Sequence, residues 1–125
     1  NPIFQYTKIQ NKNIKLYLIN DDLIHSDNID KKINADILVF ASKHRSKENT
    51  KSFAVHPIRN WNNAELGGKE RTLCNSSAVL LKNLFIELNN AAKSTNYEIT
   101  LEATHHGPFV EKPAVFVEIG STEKE

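Results

Sequence analysis

The run Asp36-Ile37-Leu38-Val39-Phe40-Ala41 is apolar at five successive positions. A strand with one wet face alternates, so a continuous apolar strand is expected to be covered on both faces, inside a layered α/β arrangement. Ala114-Val115-Phe116-Val117-Glu118-Ile119, closed by Gly120, repeats the pattern around one carboxylate. Shorter strands are predicted at Ile14–Ile19, stopped by Asn20-Asp21-Asp22, at Ser52–Val55, broken by His56-Pro57, and at the alternating run Tyr97–Thr104. Apolar side chains at Leu80/Leu81, Leu84/Phe85, Leu88 and Ala91/Ala92 predict a core-facing helix over 76–94, with Ser76 or Ser77 as its N-cap. Residues 22–34 leave room for a second helix, and the polar stretch 60–71 reads as a loop. These elements predict an α/β fold: a sandwich with a mixed, mostly parallel sheet flanked by helices, in one domain over residues 1–125.

No apolar run approaches the roughly 20 residues that cross a bilayer, and no charged-then-apolar signal opens the chain. The single cysteine, Cys74, cannot form an internal disulfide, so a cytoplasmic setting is expected. The sequence opens Asn1-Pro2, contains no methionine and closes on Ser121-Thr122-Glu123-Lys124-Glu125, which leads us to expect part of a longer catalytic domain.

The net charge of +1 conceals a basic middle. Residues 43–71 carry Lys43, Arg45, Lys47, Lys51, Arg59, Lys69 and Arg71 against Glu48, Glu65 and Glu70. Such a patch steers a polyanion, or is simply a solvated loop surface.

Four of the five histidines fall at the expected carboxyl end of a strand: His44 after 36–41, His56 after 52–55, and His105-His106 after 97–104. Open α/β sheets bind ligands in the crevice outside those ends. If the three strands run parallel, Lys43, His44, His56, His105 and His106 converge there. Each also has a plainer reading as a hydrogen-bonded turn residue, which is the one given to His25. On an extended backbone the side chains of His105 and His106 point to opposite faces, one into the crevice and one bracing it. Gly107 permits close approach of a ligand to the backbone, and Pro108 restricts the chain.

A metal site would have to be assembled from separate strand ends, because no His-Glu-x-x-His or Cys-x-x-Cys is present. Glu118 is the expected acidic partner, either buried beside a cation, metal or histidine, or facing water on an edge strand. Gly67-Gly68 beside Lys69 and Arg71, near Asn60-Trp61-Asn62-Asn63, presents N–H groups to a phosphate or an oxyanion, or marks a flexible turn. No Walker loop, dinucleotide fingerprint or Gly-x-Ser-x-Gly elbow is present.

Read together, Ser42-Lys43-His44-Arg45-Ser46, Val55-His56-Pro57 with Asn60, Gly67-Gly68, Ala103-Thr104-His105-His106-Gly107-Pro108 and Glu118-Ile119-Gly120-Ser121 resemble the archaeal and plant type of D-aminoacyl-tRNA deacylase, from about residue 14 onward. Members of that family extend beyond both ends, with a downstream Gly-Gly-x-His-Tyr motif that is absent from this chain. The resemblance implies a peptidyl-tRNA hydrolase-like core, a zinc cofactor and hydrolysis of the ester joining a D-amino acid to tRNA. It further implies His105 or His106 as general base or zinc ligand, His56 as second ligand or electrophile, and Glu118 among the metal ligands. Gly67, Gly68 or Asn60 would donate to the oxyanion, while Lys43, His44, Arg45, Lys69 and Arg71 would contact tRNA. A monomer is expected, with neither a membrane nor DNA as partner. The competing readings are a peptidyl-tRNA hydrolase-like enzyme and a non-catalytic RNA-binding module.

Overall fold

Two short strands, Tyr6–Lys8 (β1) and Lys15–Tyr17 (β2), pair antiparallel as a ribbon separate from the main sheet. The computed structural model describes residues 6–8, 13–44, 50–103 and 106–120, except for the side chains of 6–8 and 44. Leu38–His44 (β3), Ser52–His56 (β4), Glu98–Leu101 (β5) and Ala114–Gly120 (β6) form the main sheet, in the order β3-β6-β4-β5. The α-helix Ala78–Ala92 (α1) connects β4 to β5 and packs against both. Its N-cap is Ser77, whose Oγ accepts the Leu80 N–H at 3.2 Å. The mixed, mostly parallel sheet and the helix over 76–94 are as the periodicity predicts, with ends trimmed by two residues.

The three strands that end in histidines do not all run the same way, as their convergence would require. β3 runs parallel to β6 and β5 parallel to β4, but β4 and β6 are antiparallel. The carboxyl end of β3 therefore lies at the opposite end of the sheet from that of β4. β3 also extends through Ser42, Lys43 and His44, so these residues are inside the strand, not in a loop after it. Apolar alternation reports which residues pair with a core but carries no direction.

The second helix expected over 22–34 is instead two 3-10 turns, Leu23–His25 and Ile29–Lys31. These turns are stitched to the segment before β6. Asn28 N–H donates to the Phe109 carbonyl at 2.8 Å, Phe109 N–H to Asp27 Oδ1 at 2.6 Å, and Glu111 N–H to buried Asp30 Oδ2 at 3.1 Å. Long-range hydrogen bonds from Asp27 and Asp30 to the segment before β6 thus take the place of a helix ladder.

The core lies on one face of the sheet, where Leu38, Phe40, Ala114 and Phe116 meet Ile29, Ile58, Cys74 and Val110. The other face is covered unevenly. Val55 and Val115 are fully buried, whereas Val39 on edge strand β3 is 50% exposed, contrary to the two-sided burial its sequence suggests. Among the described residues no helix is long and apolar enough to cross a membrane.

Candidate functional site

Register builds the site. Phe40, Phe116 and His56 stand opposite one another across β3, β6 and β4, on the core face. Their rings stack in a row: Phe40 on Phe116 with centroids 4.9 Å apart, and Phe116 on His56 at 5.3 Å and 6°. One step further along the strands, Glu118 faces Ala54. A methyl group opposite the carboxylate leaves room for it to reach diagonally to His56. The His56 Nε2 to Glu118 Oε2 distance is 3.5 Å, and both side chains are almost wholly buried. β6 is a central strand of the sheet, which decides between the two readings of Glu118: it is an interior group beside a histidine.

His106 arrives from the segment after β5. Its ring stands edge-on to Phe116 at 4.8 Å and to His56 at 5.0 Å. The donor atoms of His56, His106 and Glu118 all lie within 4.8 Å of one another. Each Nδ1 meets a carbonyl, His56 that of Pro57 at 2.8 Å and His106 that of Gly107 at 2.6 Å. A carbonyl only accepts, so each Nδ1 carries the proton and each Nε2 is left as the variable nitrogen.

Burial disfavours a charged His56. The hydrogen bond to Glu118, the Pro57 carbonyl and the nearby charges of Glu118 and Glu102 outweigh it, so the pKa lies above the ordinary histidine value. The stability consequence follows from linkage. Because the folded value is raised, the contribution is complete below the unfolded value of about 6.5 and is lost as pH rises through the folded one. In chelator-treated protein, urea midpoints therefore fall between pH 6 and pH 9, and Glu118→Gln flattens that slope. An unchanged slope in the variant would show that the pair carries no linkage.

A third strand of chain closes the site. Gly67 and Gly68 adopt φ of 77° and 81°, and the Gly67 carbonyl accepts from Asn60 Nδ2 at 2.8 Å. A Cβ on Gly67 would collide with the Ile24 carbonyl, and one on Gly107 with Gly68 N and the same carbonyl. Gly107, expected to admit a ligand to the backbone, instead admits another stretch of backbone. Gly67-Gly68 is a packed crossing, not a flexible turn, and is held there by the Gly107 N–H donating to Leu66 O at 2.9 Å. Asn60 is buried, and its Oδ1 meets no hydrogen-bond partner among the described residues. Asn60, Gly68, Lys69, His106 and Gly107 line one narrow seam, too tight to hold a water molecule. A separate, open depression of about 660 Å³, lined by Asp30, Asn34 and Lys112, contains none of these groups.

Of the sequence-derived site residues, the fold brings together His56, His106 and Glu118, with Asn60, Gly67, Gly68 and Lys69 alongside. Arg71, held at φ 49° with its N–H on the Asn62 carbonyl, belongs to the same hairpin. Lys43 and His44 do not join them: the antiparallel β4–β6 pairing puts them at the other end of the sheet, opposite Ile119 and Gly120. Arg45 and His105 lie outside the described residues, as does the side chain of His44. Phe116, whose ring orients both imidazoles, escaped the sequence reading, since only strand register reveals that it faces His56. Cys74 is buried, its thiol pushed up by desolvation and aimed at the Pro108 carbonyl at 3.7 Å, the setting of a structural thiol.

Comparison with known proteins fits this geometry. The family model for D-aminoacyl-tRNA deacylase matches residues 31–125, which include every residue of the His56, His106 and Glu118 group. The chain belongs to the D-aminoacyl-tRNA deacylase family. It is 42% identical over 125 residues to the D-aminoacyl-tRNA deacylase of Caldivirga maquilingensis, covering 95% of this chain and 46% of that protein. To the enzyme of the same name from Methanosarcina acetivorans it is 42% identical over 120 residues, 87% of this chain and 40% of that one. A crystal structure of a conserved protein of unknown function superposes with a TM-score of 0.80 at 37% identity, covering 98% of this chain and 48% of the other. The chain thus spans a little under half the length of the curated family members it matches.

Proposed function

We propose that this chain supplies the histidine–carboxylate half of a site that hydrolyses the ester of D-aminoacyl-tRNA, releasing the D-amino acid and tRNA. The observation that carries the reading is the convergence of His56, His106 and Glu118 beside the glycine crossing, within a deacylase family member. Ester hydrolysis needs an activated water, a polarised carbonyl and donors for the tetrahedral oxyanion.

Zinc is the proposed cofactor, with His56, His106 and Glu118 as its ligands. The donor chemistry fits: two imidazoles and one carboxylate are a catalytic zinc set that leaves a coordination position open. The Nδ1–H to carbonyl bonds at Pro57 and Gly107 are the outer contacts that hold ligating imidazoles in the Nε2 form. The three donor atoms, all within 4.8 Å of one another with His56 and Glu118 3.5 Å apart, would hold one ion between them. When bound, such an ion polarises a carbonyl and acidifies a water. Glu118 keeps His56 in place, Phe116 fixes the planes of both rings, and Asn60 Nδ2 donates to the Gly67 carbonyl, holding the glycine pair beside His106. The Gly67 and Gly68 N–H groups, which meet no acceptor among the described residues, are the proposed oxyanion donors. Lys69 and Arg71 are the proposed contacts for acceptor-strand phosphates, and the compartment is taken as cytoplasmic, where charged tRNA is used.

Release of D-tyrosine and of L-tyrosine from the matching tyrosyl-tRNAs, measured with the full-length protein before and after chelation, tests the reading. Fast release of the D form, abolished by chelator and restored by zinc, is expected. Hydrolysis that persists undiminished without metal sinks the zinc assignment, and binding of tRNA without turnover sinks the hydrolase.

A further inference from the structure

Register places a second carboxylate on the other flank of His56. Val55 pairs with Leu101 across β4 and β5, and the ladder runs one step further, with the Glu102 N–H donating to the Val55 carbonyl at 3.1 Å. His56 and Glu102 are therefore neighbours on parallel segments about 4.8 Å apart. The Glu102 side chain lies on the face that His56 occupies. Its Oε1 accepts the Thr100 hydroxyl at 3.1 Å, and Thr100 stands opposite Ala54, two residues from His56 on the same side of β4. The row that begins Phe40, Phe116, His56 thus ends in Glu102.

The two carboxylates differ in setting. Glu118 is almost wholly buried, with its Oε2 3.5 Å from His56 Nε2, whereas Glu102 is partly exposed. Burial, the largest influence on His56, opposes its charge, and among the influences that outweigh burial the Glu102 charge is the smallest. Glu102 is thus near the imidazole without being one of the three donors that converge. A carboxylate accepts about four hydrogen bonds, so the Thr100 hydroxyl orients this one without filling it. His106, like Glu102, is partly exposed, so the wet side of the cluster is the one where the chain leaves β5.

An aminoacyl ester carries its α-amino group two bonds from the carbonyl carbon, and that group takes a proton in the neutral pH range. An N-acylated ester, as in peptidyl-tRNA, has lost both the basicity and the charge. With the carbonyl at the donor cluster, the ammonium needs an anionic acceptor about one strand away on the wet side. We infer that Glu102 is the subsite for the α-ammonium group of the aminoacyl ester, so that the site selects a free amino group over an N-acylated one. This rests on the deacylase reading, which brings the ester carbonyl to His56, His106 and Glu118. Glu118 serves the cluster from its buried side, and Glu102 binds substrate from the exposed one.

The probe is tRNA ending in 3′-amino-3′-deoxyadenosine and carrying D-tyrosine through a stable amide, compared with the same molecule N-acetylated. The full-length protein is expected to bind the free amine about tenfold more tightly, the effect of one hydrogen bond between charged groups. Glu102→Gln keeps the size of the side chain and its acceptor for Thr100. It should bind the free amine about tenfold more weakly and the N-acetyl form within twofold of the unmodified protein, so that the preference disappears. A variant that weakens both probes alike makes Glu102 a support for the cluster and overturns the subsite, as does equal binding of the two probes by the unmodified protein. Either result leaves hydrolysis of D-tyrosyl-tRNA standing. An amine preference that is lost in Glu102→Gln, in a protein that hydrolyses no D-tyrosyl-tRNA, keeps the subsite and removes the deacylase reading.

Discussion

On the proposed deacylase reading, replacing His106 with alanine is expected to lower hydrolysis of D-tyrosyl-tRNA by the full-length protein about 10²- to 10⁴-fold, the range for loss of a group acting directly on the reacting atoms. The expectation rests on three contacts. His106 shares the donor cluster with His56 and Glu118, its ring stands edge-on to Phe116, and its Nδ1 is committed to the Gly107 carbonyl, so Nε2 is the nitrogen presented to the cluster. His106 is only partly buried, so alanine should leave the fold in place, which thermal unfolding checks. Bound zinc per chain, measured on the same sample, should fall with the rate. A rate within threefold of the unmodified protein would remove His106 from the site. The equivalent change at His56 is a poorer test, because it removes a charge partner of the buried Glu118 carboxylate and so costs stability as well as activity.

The second large effect is on folding. Gly107→Ala is expected to destabilise the protein by about 3 kcal/mol, at the upper end for overpacking, because its Cβ would meet backbone on two sides. The Ile24 carbonyl, Gly68 N and the Gly67 carbonyl carbon all occupy the space that a methyl group needs. None of these is the end of a flexible side chain, so relief requires moving the 3-10 turn or the hairpin tip. Urea unfolding gives the number, and a shift below about 0.5 kcal/mol would mean that the crossing opens freely. The crossing also couples the two effects: the carbonyl of Gly107 orients His106, while its N–H anchors the hairpin through Leu66.

Much of this was legible in the residues themselves. The stripe from Leu80 to Ala92 announces α1, and Ser77 its cap, because helix period and capping are local properties of the chain. Glu118 among apolar neighbours could be read as a buried carboxylate in need of a partner or as an edge residue facing water, and the central place of β6 decided for the first. Histidines just before strand-breaking prolines, at His56-Pro57 and His106-Gly107-Pro108, mark points where the chain gives way to an irregular segment. The motif set around them carries the family.

What remained hidden depends on contacts between distant segments. Lys43 and His44 looked like neighbours of His56 because alternation is blind to strand direction, and only the antiparallel pairing of β4 with β6 sends them to the far end. Residues 22–34 carry enough apolar side chains for a helix. Asp27 and Asp30 spend their carboxylates on the N–H groups of Phe109, Glu111 and Lys112, and the segment turns instead. Gly67-Gly68 and Gly107 are ordinary turn signals until the fold crosses them within one Cβ of each other. Glu102 becomes a neighbour of His56 only because β4 and β5 run parallel in the register that pairs Val55 with Leu101. The sequence by itself determined which groups must be buried, capped or paired, because those needs are local. Tertiary structure alone decided which of them meet, because direction, register and backbone crossings are properties of pairs of segments and leave no periodic mark in either one.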